Sequence, residues 1–152
     1  MRAFVLLMFL ALCAFVAVAS RTGSRAEYIG GTVGTIPTSN SGDIQLTDQI
    51  YFTFSSKITQ MRIPYERINL VEYGQKVDRR YVTAAIISPL FLMAKKREHF
   101  LTIGYQDDDG HQQALIFKVN KNDIRQTLVE LEARTGQKIG YQDEDARKDP
   151  KG

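Results

Sequence analysis

The sequence predicts a mainly β fold, an α+β chain of about seven short antiparallel strands followed by one C-terminal helix. Three observations carry this prediction. Ile50, Phe52 and Phe54 alternate with Tyr51, Thr53 and Ser55, the period of two that places one face of a strand in a core. Phe100–Tyr105 and Gln113–Val119 are thick with aromatic and β-branched residues and flank Asp107-Asp108-Asp109-Gly110, whose glycine supplies the positive φ that tight connections favour. After Val119 the period changes, with Ile124, Leu128 and Leu131 at i, i+4 and i+7, the stripe of an amphipathic helix.

Before the first strand, Met1 and Arg2 open an unbroken apolar run from Ala3 to Ala19 that ends Ala17-Val18-Ala19. Small residues in this spacing fit the narrow pocket of a signal peptidase. Residues 1–19 therefore read as a signal peptide cut before Ser20, and Ala26 offers a later cut, so the mature chain has roughly 126 to 133 residues. The predicted location is exported, periplasmic or secreted. An uncleaved membrane anchor is the alternative, because the run is at the short limit of a span of about 17 to 25 residues. Lipidation at Cys13 is disfavoured by the large Leu12 before it.

Glu27 to Val33 suits a first strand, and the breaker-rich stretch from Gly34 to Gly42 separates it from the next. Asp43–Leu46 and Gln49–Ser55 form a hairpin around Thr47-Asp48. Gln60–Tyr65 and Ile68–Gly74 continue the pattern, with Pro64 suited to an edge or a strand end because it has no N–H to donate. Asn120 or Asn122 caps the helix and Gly136 suits its C-terminal end. Residues 27–140 thus form one domain. The mixed-charge stretch 141–152 reads as a disordered tail.

Gly42-Asp-Ile-Gln-Leu-Thr-Asp48, Ile50-Tyr-Phe52 and Ile63-Pro-Tyr65-Glu-Arg-Ile68 resemble the run of bacterial pleckstrin-homology-like and GRAM-like domains. The resemblance spans about Glu27 to Gly136. It implies an antiparallel barrel or sandwich of about seven strands whose open end is plugged by the helix, and a binding module without catalytic activity. It does not bring inositol-phosphate binding with it, because the loop from Gly34 to Gly42 holds no lysine or arginine.

Composition excludes several chemistries. The whole chain carries +3, and a cut after Ala19 removes Arg2 and leaves +2, so a basic surface built for nucleic acid is not supported. Cys13 lies in the leader, so the mature chain has no disulfide and no thiolate nucleophile or ligand. Asp107–Asp109 lacks the alternating ligand positions and the later glutamate of a calcium loop. Gly30-Gly31-Thr-Val-Gly34 lacks the lysine of a phosphate loop, and its glycines read as a bulge or a close backbone approach. His99 and His111, the two histidines, read as surface residues outside any hydrolytic motif. No catalytic residue, metal ligand or cofactor is predicted.

One segment stands apart. Lys76, Arg79 and Arg80 precede the apolar run Val82–Ala94, which contains Leu90, Phe91, Leu92 and Met93, and Lys95, Lys96 and Arg97 follow it. Such an insert is either a core element or a contact for an anionic membrane surface or a protein partner. The predicted function is a non-enzymatic exported binding or scaffolding module. A peripheral membrane-contact module using residues 82–94 is the first alternative, and a small hydrolase the second. Membrane contact requires exposed Leu90–Met93, and hydrolysis requires His99 or His111 to share a pocket with a carboxylate.

Overall fold

A computed structural model describes residues 23–76, 86–87, 98–142 and 144–148. The leader, residues 1–19, lies outside the described residues, as do residues 77–85 and 88–97. The strands are β1 (Ser24–Gly31), β2 (Asn40–Gln45), β3 (Tyr51–Ser56), β4 (Gln60–Pro64), β5 (Ile68–Gly74), β6 (Ile86–Ile87), β7 (His99–Gln106), β8 (Gln112–Val119) and β9 (Gly140–Tyr141). A 3-10 turn, Tyr65–Arg67, joins β4 to β5, and the helices are α1 (Ile124–Thr135) and α2 (Glu144–Lys148).

The fold is mainly β, as expected, and three details differ. The strands form one sheet in the order β4-β3-β2-β1-β8-β7-β5-β9, with β6 beside β1. β9 runs parallel to β5, so the sheet is mixed. The hydrogen-bonded path ends at β4 and β9, so the sheet is not closed into a barrel. Among the described residues there are nine strands rather than about seven, because β6 and β9 are two residues each, too short to show a period, and are recruited by neighbours distant in sequence.

β1 is central, pairing with β2 from Ser24 to Tyr28 and with β8 from Ala26 to Gly31. It begins three residues earlier than expected. A cut after Ala26 would strip Ser24, Arg25 and Ala26 from their ladder with Ile44, Asp43 and Gly42, whereas a cut before Ser20 leaves the strand whole. The register shifts between Tyr28 and Gly30, the bulge that the paired glycines suggested.

Alternation fills the core. Phe52, Phe54, Tyr28 and Phe117 are buried at its centre, with Leu101, Ile103, Leu115 and Leu131 around them. Phe100, Thr102 and Ile116 project to the other side of the sheet by the period of two and are buried as well. Asp48 shapes the β2–β3 connection by accepting from the amides of Ile50 and Tyr51 at 2.8 and 3.2 Å. Gly136 ends α1 at φ 69°, its amide bonded to the carbonyl of Glu132. The N-cap is Asp123 rather than Asn120 or Asn122, because the Asn120 carbonyl and side chain close the preceding turn onto Asn122, Asp123 and Ile124.

In the stretch 141–152, expected to be disordered, Tyr141 belongs to β9 and Glu144–Lys148 form α2. The Gln142 amide donates to the carbonyl of Tyr73 at 3.0 Å, and Ala146 is fully buried against the core. A charged composition hides a single alanine that packs.

Tyr65 is buried under α1, and its hydroxyl has no hydrogen-bond partner among the described residues. Burial pushes its phenol up to about 12. Removing an unpaired buried hydroxyl relieves its desolvation. Tyr65→Phe is expected to keep or raise stability, by up to about 1 kcal/mol, in urea unfolding. A loss larger than that would show that the hydroxyl has a partner.

Candidate binding groove

Of the residues expected to contact a membrane or partner, Lys76 is described and is exposed just beyond β5. Arg79, Arg80, Leu90, Phe91, Leu92, Met93, Lys95, Lys96 and Arg97 lie outside the described residues. What the structure assembles instead is a groove of about 410 Å³ at the rim where β1, β2, β7 and β8 meet.

Ladder register builds it. Glu27 of β1 pairs with Ser41 of β2 on one side and with Lys118 of β8 on the other, and Lys118 pairs with Phe100 of β7. Arg25 and Glu27, two apart on a strand, share a face. Glu98 and His99 enter from the start of β7, and Asn120 and Lys121 from the turn after β8. Lys118 and Glu98 form an ion pair at 3.5 Å, both about one-third exposed. The Asn120 amide donates to the carbonyl of Arg25 at 3.0 Å, which fixes this turn against β1.

His99, expected at the surface, is only 9% exposed. Its Nδ1 lies 2.7 Å from the Tyr73 hydroxyl, and the two rings are stacked. His99 is paired in register with Val119, so the sheet carries it inward, a placement that a histidine at a predicted strand start does not reveal. Arg25, Lys118 and Lys121 were also missed. Their signal is non-local, since the three are brought together only by the β1–β8 pairing of residues some ninety positions apart.

A second cavity, about 280 Å³, lies between the start of β1, the end of β2 and α1. Its floor is Ile44 and Leu46, and Asp123 and Glu130 line it. The Asp123 carboxylate already accepts from the Arg25 amide at 3.1 Å, and Glu130 from the Gln126 amide group at 2.7 Å. The groove is the roomier of the two, about 410 Å³ against about 280 Å³.

The acidic turn is a structural device. Asp107, Asp109 and His111 bring potential ligand atoms within 4.8 Å of one another. Yet Asp107 accepts from the amides of Asp109 and His111 and from the side chain of Gln113, and Asp108 pairs with Arg67. Gly110 takes φ 81°, as the sequence predicted. The Gln113 side chain, followed by the His111 amide, holds the Asp107 carboxyl below its usual range. A depressed folded pKa gives a contribution that is present above the unfolded carboxylate value, about 3.9, and lost as pH falls through the folded one. The Asp107 side-chain carboxyl carbon resonance is therefore expected to hold its ionised position down to about pH 4 and to move only below it. Movement centred well above that pH would contradict the turn geometry.

No protein-family model matches the chain, and no curated protein matches it.

Proposed function

We propose that this protein is a non-enzymatic, exported binding module that takes its ligand in the rim groove. The observation that carries this reading is the groove itself. Its volume of about 410 Å³ falls in the range of sites for small ligands, about 300 to 1,000 Å³, and its wall offers hydrogen-bonding groups from four strands. The strand order supports a pleckstrin-homology-like architecture as part of the proposal. Four strands in meander order meet three more through the β1–β8 pairing, and a helix follows.

Binding is favoured over hydrolysis even though His99 shares the groove with Glu27 and Glu98. Among the described residues the hydroxyl lining it is that of Ser41, three strand spacings from β7, about 14 Å, which disfavours a serine–histidine pair. A base must lie within about 3.2 Å of the proton it takes, or reach it through one water.

A small-fragment library screened by saturation-transfer NMR tests the reading. Hits are expected to disappear in Ser41→Tyr, which fills the groove from an exposed position without touching the core. Hits that survive in that variant would move the site elsewhere.

The membrane-contact reading has one observation in its favour. Within residues 82–94, Ile86–Ile87 pairs with Gly30–Gly31 of β1, and Glu98, just before β7, lines the groove. Flotation with anionic and neutral vesicles at low and high salt separates the two. Salt-sensitive flotation that Phe91→Glu abolishes would establish membrane contact.

A further inference from the structure

We infer that the groove takes an oxyanion, a phosphate or carboxylate group held between Arg25 and Lys121, an assignment that rests on the groove being the binding site. Its acids and cations are unequally engaged. Glu98 is ion-paired with Lys118, and Glu27 stands directly across the ladder from the same lysine. Arg25 and Lys121 are exposed, and among the described residues neither has an ion-pair partner. One lysine thus faces both acids, while Arg25, which stands across the β1–β2 ladder from Asp43, and Lys121 line the groove without an ion pair among the described residues.

The neutral groups around them are suited to the same ligand. The Asn120 side-chain oxygen already accepts from the Asn122 amide, which leaves its NH2 group as the free end, and Ser41 also lines the groove. A guanidinium, an ammonium, an amide NH2 and a hydroxyl are all donors. Donors converging with unpaired cations recognise an oxygen-rich anion by charge-assisted hydrogen bonds.

Because both cations are exposed, the attraction is screened by salt. Titration of the isotope-labelled protein, as the expressing cell processes it, with inorganic phosphate and with acetate reads this directly. Saturable amide shifts are expected at Arg25–Glu27, Ser41 and Asn120–Lys121. Affinity should fall about tenfold in an R25Q/K121Q double variant, the size of one charge-assisted hydrogen bond, and should weaken with added salt. The exposed positions leave the thermal midpoint unchanged, which confirms that the variant is folded.

Shifts spread equally over the unrelated exposed Lys57 and Lys138, and unaltered in the double variant, would overturn the assignment. An uncharged amide such as N-methylacetamide separates the two levels of failure. If it binds in the groove and the oxyanions do not, the ligand class is wrong and the groove stands; if no probe binds there, the groove reading fails as well. Phosphatidylglycerol vesicles compared with phosphatidylcholine vesicles identify the source. Binding of the anionic vesicles that is lost in R25Q/K121Q assigns the oxyanion to a lipid headgroup, and phosphate binding without vesicle binding assigns it to a soluble ligand.

Discussion

Replacing Phe117 with alanine should remove about 3–5 kcal/mol of stability, a large share of the roughly 5–15 kcal/mol that holds a domain of this size together. The ring is fully buried and is the hub of the aromatic core. Its centroid lies 5.0 Å from Phe54, 5.7 Å from Tyr28 and 5.9 Å from Phe52. Those partners come from β1 and β3, so one side chain on β8 ties both sides of the β1 junction. Truncation leaves a cavity lined by large rings on paired strands, which cannot collapse without breaking the ladders. Urea unfolding followed by tyrosine fluorescence and circular dichroism gives the measurement. Phe117→Leu, which keeps most of the volume, should cost under about 1.5 kcal/mol. An alanine loss as small as that of leucine would mean that the cluster is not the centre of the core.

Gly31→Val should cost about 3 kcal/mol for the opposite reason, too little room. A Cβ at this position would sit 2.2 Å from the carbonyl oxygen of Ala114 and 2.9 Å from the Tyr28 hydroxyl. The first is a backbone atom in the β1–β8 pairing, so no side-chain rotation relieves the contact. The same carbonyl accepts from the Thr32 amide at 2.9 Å, and pushing it away breaks that bond too. Gly34 is the comparison, because nothing lies within 4 Å of its Cβ position. Gly34→Ala should change stability by no more than about 0.5 kcal/mol in the same urea titration. Equal effects at the two glycines would show that the close approach of β1 to β8 does not constrain the fold.

How much of this was legible depends on the range of each signal. Ile50 to Ser55 declared its strand through its own alternation, and Asp107 to Gly110 declared its turn through local chemistry. The glycines at 30 and 31 pointed to a bulge and a close approach, and both are present. Partnership is what the sequence leaves unstated. Nothing local says that Glu72 and Tyr73 will pair with Gly140 and Tyr141, or that Ala146 will be buried while its neighbours Arg147 and Lys148 are exposed. The groove belongs to the same class, because Arg25, Ser41, His99 and Lys121 line one groove only after three ladders have formed. A basic run such as Lys95 to Arg97 draws attention through its density, whereas two cations set far apart in the chain do not.

The two ends of the sheet bear on how the protein behaves when crowded. At one end the C-terminal residues Gly140 and Tyr141 occupy the outward side of β5. At the other, β4 ends in Pro64, which has no amide hydrogen to offer, and carries Arg62, held over the Tyr51 ring at 4.2 Å and against Asp48 at 3.1 Å. A foreign strand arriving at the β4 margin meets proline and charge, and at the other margin β9 covers Glu72 and Tyr73 of β5. A chain shortened to end at Lys138 would present the bare β5 margin to its neighbours, and on storage it should form thioflavin-binding fibres that the full-length protein does not.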